Sequence, residues 1–242
     1  VDLMAHLAEH SFLCPKPIFK KNGTALSILK NKPALIVTCL KGKELTNPEV
    51  NHCAAVGKSL AELHVKSANF EAQHQNTRNL NWIKKTAESL FDALPQDESE
   101  LLKEEILYQE KQNYKLPIST IHGDLFRDNV LFLNDEVTGF IDFYYACTDY
   151  LILDVAIAVN DWCVNDDGSF DKARLNAFLD AYKKIRSFND NEDQAWNDVL
   201  RLASLRFWVS RLNDFYHVEE GELTYTKDPN HFKKILKQRI GS

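Results

Sequence analysis

Residues 118–142 read Ile118-Ser-Thr-Ile-His122-Gly-Asp124-Leu-Phe-Arg127-Asp128-Asn129-Val-Leu-Phe-Leu-Asn134-Asp-Glu-Val-Thr-Gly-Phe-Ile-Asp142. Two apolar runs, 130–133 and 137–141, flank a polar turn at 134–136, which is the pattern of a β-hairpin. Antiparallel strands bring the two ends of a hairpin together. Asn129, entering the first strand, and Asp142, leaving the second, are therefore expected side by side, with Asp124 on the polar loop just before them. Oxygen-only donors of this kind suit Mg²⁺, which takes one or two carboxylates and fills its shell with phosphate oxygens and water. A carboxylate off the metal can accept the proton of a substrate hydroxyl. Asp124 as base with Asn129 and Asp142 as metal ligands is the equipment of phosphoryl transfer.

Asp and Asn are common in turns for local hydrogen-bonding reasons, so each residue alone fits an ordinary hairpin. The ordered set does not, because it follows the catalytic-loop spacing His-x-Asp, four residues, Asn, then a strand pair and an Asp. His122-Gly123-Asp124-Leu125 with Asn129, followed by Gly139-Phe140-Ile141-Asp142, resembles the aminoglycoside phosphotransferase/choline kinase superfamily. The stretches Phe140-Ile-Asp-Phe-Tyr-Tyr-Ala-Cys147, Leu153-Asp154-Val-Ala-Ile-Ala-Val-Asn160-Asp161-Trp162 and Arg206-Phe-Trp-Val-Ser-Arg211 resemble, more narrowly, the kinase-like homoserine kinases of bacteria. The likeness runs over nearly the whole chain.

The resemblance implies an α+β, mostly helical fold: a protein-kinase-like large lobe (41–242) with a remnant of the small lobe (1–40). It implies ATP-dependent phosphorylation of the hydroxyl of L-homoserine, a step of threonine biosynthesis, with Mg²⁺ accompanying ATP. It places the adenine contact at the hinge, near Cys39, Leu40 and Lys41, where the sequence itself says only that a strand ends at Gly42. It makes His122 and Asp154 supports of the catalytic loop, Asp154 by holding backbone N–H groups; capping or pairing elsewhere is the other reading. The α-carboxylate of such an acceptor calls for a guanidinium, which grips it in bidentate fashion. Arg206 and Arg211 are the candidates, and Asp161 or Asp214 could meet the ammonium. The two arginines are five residues apart, about 140° around a helix, so they do not share a face.

The composition excludes other classes. The 29 basic and 35 acidic side chains of the 242 residues give a net charge of −6 with no basic block, which argues against a nucleic-acid surface. No apolar run reaches the roughly 20 residues of a membrane helix. The expected partners are a small-molecule acceptor and ATP, with no nucleic acid and no membrane. The five cysteines (14, 39, 53, 147 and 163) are odd in number and form no Cys-x-x-Cys pair. They read as small buried hydrophobes of a reducing, cytoplasmic compartment.

Along the chain, helices are expected over 1–10, from 47 (with Pro48 at the first helical position) to 64, over 78–94, 97–114, 150–164, 171–185, 190–216 and 228–240. Runs 25–29 and 34–40 read as a second hairpin, and 219–223 as a loop. His64, at the end of an apolar stripe, reads as a hydrogen-bonded core residue in preference to a functional one. No glycine-rich phosphate loop and no strand lysine can be placed, so the chain is expected to lack most of the small lobe and, alone, to bind Mg-ATP weakly. Two alternatives stay open. One is a kinase for another amino alcohol or sugar (choline, ethanolamine, an aminoglycoside, methylthioribose). Choline would need an aromatic cage drawn from Phe143, Tyr144, Tyr145, Trp162, Phe207 and Trp208. The other is a non-catalytic kinase-like binding module.

Overall fold

The computed structural model describes residues 1–217 and 227–241. The loop expected at 219–223 lies outside the described residues. Helices dominate: α1 Asp2–Glu9, α2 Val50–Lys66, α3 Leu80–Glu88, α4 Gln96–Glu110, α5 Leu151–Trp162, α6 Lys172–Lys183, α7 Asp190–Tyr216 and α8 Asn230–Ile240. Between them run β1 Ser27–Leu29, β2 Lys32–Ala34, β3 Ile118–Ile121, β4 Val130–Leu133, β5 Glu136–Phe140 and β6 Cys147–Tyr150. Helix α5 is the axis of the core. All twelve of its residues are buried, including Asp154, Asn160 and Asp161, and it packs against α2, α6 and α7. None of the described helices is long and apolar enough to cross a membrane.

The three strand pairs are antiparallel, β1 with β2, β3 with β6 and β4 with β5. The chain leaves along β3, forms the loop 122–129, turns through the β4–β5 hairpin, and returns along β6 beside β3. The loop and Asp142 are thereby clamped between two strand pairs. The hairpin turn is made by Asn134 and Asp135, both at positive φ, the conformation that matches the twist of the flanking strands.

Several boundaries differ from the sequence reading. The chain at 34–40 is not one strand paired with 25–29. Only residues up to Ala34 pair with β1, and Ile36 and Thr38 bond instead to Ile18 and Lys16. Cys39 is consequently exposed, whereas the other four cysteines are buried as expected, and all five are free. Helix α2 starts after Glu49, not at Pro48, because Glu49 and His52 form a reciprocal capping box. Helix α3 starts after Asn79, whose side chain accepts the Trp82 N–H, so Arg78 stays in the preceding loop. Strands β3 and β6 were not expected.

Candidate active site

Asp154 projects from the buried face of α5 and organises the loop. Its carboxylate accepts the backbone N–H of His122 at 2.7 Å and of Gly123 at 2.8 Å. His64 Nε2 lies 3.1 Å from the same carboxylate, while His64 Nδ1 meets the Tyr182 hydroxyl at 2.7 Å. Burial lowers the His64 pKa, keeping the ring neutral against the pull of Asp154. Burial works against the charge of Asp154, yet the His64 bond and the loop N–H groups hold it ionised, below its ordinary pKa. His64 is thus a hydrogen-bonded core residue.

His122 ties the loop to the strand that delivers Asp142. Its Nε2 donates to the Ile141 carbonyl at 2.9 Å, and its Nδ1 accepts the Asp124 N–H at 3.3 Å, which fixes one tautomer. Full burial lowers its pKa and keeps it neutral. Gly123 adopts φ +75°, and a Cβ there would stand 2.7 Å from the Tyr145 carbonyl oxygen, so the loop passes closer than any side chain permits. Trp162 Nε1 donates to the Leu125 carbonyl at 3.1 Å and secures the other end.

The structure brings Asp124, Asn129 and Asp142 together. Asn129 Nδ2 donates to the Asp124 carbonyl at 2.8 Å and to its carboxylate at 3.2 Å, leaving Asn129 Oδ1 available. The Ile141 N–H bonds the Asn129 carbonyl at 3.0 Å, so the residue before Asp142 is tied to Asn129. Asp142 holds the left-handed conformation, φ 59° and ψ 62°, uncommon outside glycine and a mark of an over-determined site. Its carboxylate is exposed at the head of the hairpin. Burial drives the Asp124 pKa up to about 7; Arg206 opposes that rise, and Asp128 and Asp142 add to it. A carboxyl poised there suits general-base work near neutral pH.

The remaining sequence candidates divide. Cys39, Leu40 and Lys41 cross the β4–β5 hairpin, where the Lys41 carbonyl accepts the Thr138 hydroxyl. Arg206 on α7 is 4% exposed and donates to the Gly123 carbonyl at 2.7 Å, one residue from Asp124. Arg211 points elsewhere, as their separation on the helix requires. It donates to the Asp228 carbonyl and its Cζ lies 4.5 Å from the Phe232 ring centre. Asp161 takes the backbone N–H and the guanidinium of Arg127, and Asp214 is exposed on α7. The aromatics do not gather into a cage: Trp162 and Trp208 are fully buried and Tyr144 is 82% exposed.

Two cavities flank the loop. One, of about 450 Å³, is walled by α3, α4, β6 and α7 and includes Arg206. The other, of about 420 Å³, includes Arg127, Asp128, Asp161, Arg211 and Lys227. The first also takes in Asn76, Arg78 and Asp149, which the sequence reading passed over. Asn79 was the available signal, since asparagine is a preferred helix cap and so leaves Arg78 outside the helix.

Phosphoryl transfer is what this fold and loop define, and residues 1–188 match the phosphotransferase enzyme family. The chain belongs to that family, in the company of the homoserine kinases. It is 47% identical over 243 residues to a homoserine kinase of Methylobacillus flagellatus, covering 100% of this chain and 76% of that protein. It is 43% identical to one from a Janthinobacterium species over 99% of this chain and 76% of the other. Among solved structures, an amicoumacin kinase superposes with a TM-score of 0.71 at 15% identity, over 99% of this chain and 74% of the other. A choline kinase from Cryptosporidium parvum Iowa II gives 0.69 at 15% identity, over 99% and 77%. These distant structures share the fold, which is the kinase-like, mostly helical one expected.

Proposed function

We propose that this chain carries the phosphoryl-transfer site of an ATP-dependent kinase acting on the hydroxyl of L-homoserine. The observation that carries this reading is the junction of Asp124, Asn129 and Asp142, in a chain whose full-length relatives are named homoserine kinase. In the reaction, the homoserine oxygen attacks the γ-phosphorus of ATP, the bond to the β-γ bridging oxygen breaks, and ADP leaves. Asp124 accepts the hydroxyl proton as the new P–O bond forms. Asn129 Nδ2 orients the carboxylate, and burial keeps its affinity for a proton high against the opposing charge of Arg206. The products are O-phospho-L-homoserine, ADP and a proton.

Asn129 Oδ1 and the Asp142 carboxylate fit Mg²⁺, being hard oxygen donors with room for phosphate oxygens and water. When bound, the ion would neutralise phosphate charge. Residues 39–41 would meet the adenine, with 1–40 as the remnant of the nucleotide lobe over the helical lobe 41–242. Arg206 would hold the acceptor's α-carboxylate, because a buried guanidinium with no ion-pair partner among the described residues is costly until an anion arrives. Arg211, with a comparable carbonyl bond to Asp228 and ring contact to Phe232, is less buried and lines the other cavity.

The test is ADP release by the full-length protein with Mg-ATP and L-homoserine, choline, ethanolamine, methylthioribose or kanamycin in parallel. Release with homoserine alone is expected. Release with a different acceptor overturns the acceptor assignment, and Mg-ATP binding without release in any tube favours the non-catalytic module.

A further inference from the structure

The larger of the two cavities is lined by charged groups that form no close ion pair among the described residues, although Arg206 feels the nearby Asp124. Arg78 stacks on Trp82, its Cζ 4.1 Å from the ring centre, and the guanidinium has no hydrogen-bond acceptor or carboxylate partner among the described residues. Among the described residues Arg206 makes one hydrogen bond, to Gly123, and no ion pair. Both guanidiniums address one ring: their Cζ atoms lie 5.7 Å and 5.8 Å from the centre of Tyr145. Asp149, on β6, accepts Asn76 Nδ2 at 2.6 Å and the Tyr150 N–H at 2.7 Å but forms no ion pair among the described residues. Asp198, the other acid of the cavity, is engaged by the hydroxyls of Tyr108 and Tyr114.

Arg206 is buried, so its charge gains most from an anion, while Arg78 and Asp149 are half-buried and open to the cavity. Two guanidinium forks and a carboxylate lining one cavity match an α-amino acid zwitterion: carboxylate to the forks, ammonium to the acid. The position suits a hydroxylated one. Arg206 donates to the Gly123 carbonyl, one residue from Asp124, and the hydroxyl of homoserine lies four single bonds, about 5 Å, from its carboxylate carbon.

We propose that Arg78 shares the acceptor's α-carboxylate with Arg206, and that Asp149, oriented by Asn76, takes its α-ammonium. This rests on the reading of the site as a homoserine-phosphorylating one and extends it to two residues that select the acceptor. Arg78 is held in place by its stack on Trp82, and Asp149 by the register of β6 against β3. An acceptor lacking either group leaves a charge unpaired, which is the strongest form of discrimination a polar pocket has.

The experiment uses the full-length protein with Mg-ATP and three acceptors: L-homoserine, 3-aminopropan-1-ol (no carboxylate) and 4-hydroxybutyrate (no ammonium). Arg78→Gln is expected to raise KM for homoserine about 10- to 100-fold, the scale of a lost charge-assisted bond, with kcat within about threefold. It should leave kcat/KM for 3-aminopropan-1-ol unchanged. Asp149→Asn should raise KM for homoserine similarly and leave 4-hydroxybutyrate unchanged. Arg78→Lys should restore part of the affinity. Equal losses on all three acceptors, or a homoserine KM within twofold of wild type, overturn the proposal. If wild type releases no ADP with homoserine, the parent reading fails and this one with it. Where a variant does not fold, phenylglyoxal labelling of wild type decides: homoserine should protect Arg78, and unchanged labelling overturns the assignment.

Discussion

The two cavities beside the catalytic loop are similar in size and both are lined with charge, but they differ in how that charge is paired. In the smaller, Arg127 pairs with Asp161 at 3.2 Å and Lys227 with Asp128 at 2.6 Å. Asp128 Oδ1 is buried without a hydrogen bond among the described residues, but Lys227 compensates the same carboxylate through Oδ2, and Arg211 bonds the Asp228 carbonyl. In the larger, Arg78, Arg206 and Asp149 have no ion-pair partner among the described residues. Paired charges hold a backbone in place, as Asp161 does by gripping the Arg127 N–H at 2.8 Å. Unpaired ones are the side of a contact that a ligand completes. The paired charges of the smaller cavity brace the loop, and on the proposed reading the larger would receive the acceptor.

The buried pairing beneath the loop gives the largest expected effect. Asp154→Ala strips the acceptor from His64 and from two backbone N–H groups, and should cost about 3 kcal/mol or more, since each buried donor left unsatisfied costs roughly 1–3 kcal/mol. Urea denaturation at pH 7.5 measures it; a loss below 1 kcal/mol (roughly the value of a surface contact) would mean the loop is held by something else. Next in size is Arg206→Gln. It should raise homoserine KM about 10- to 100-fold while leaving stability nearly unchanged, because the desolvation cost of a buried charge without a close ion pair is removed along with its attraction to Asp124. Steady-state kinetics with a parallel thermal melt separate the two quantities. An intact KM with a large fall in stability would reverse the roles given to the two cavities. The smallest effect is expected on the paired side. Asp161→Asn should lower stability by about 1–2 kcal/mol, since the Arg127 partner is partly exposed, and leave homoserine KM within about threefold. A large rise in KM would place the acceptor in the smaller cavity.

What could be read from the sequence follows the range of the interactions that make each element. The β4–β5 hairpin and the convergence of Asn129 with Asp142 are local, set by alternation and a two-residue turn, and they are where the sequence put them. Strands β3 and β6 are not local: Ile121 pairs with Cys147 across the whole loop and hairpin, and β6 runs straight into α5 with no breaker between. The run 34–40 looked like a strand from its β-branched residues, but half of it bonds to residues 16–18 and leaves Cys39 exposed. Asp149 was hidden by the same fusion of β6 with α5, and Arg78 by the extension of α3 past its Asn79 cap. The divergence of Arg206 and Arg211 followed from helix geometry alone; which of them faces Asp124 required the packing of α7.

The most direct test of Asp124 as the base is the pH dependence of kcat/KM for homoserine in the full-length wild-type protein and in Asp124→Asn. The carboxyl must be ionised to accept the hydroxyl proton, and its pKa is raised to about 7, so activity should be full above that pH and fall as pH drops through it. Asp124→Asn should lose that acid limb and lower kcat roughly 10²–10⁴-fold. A variant that keeps near-normal kcat, or the same acid limb, would remove Asp124 from the chemistry.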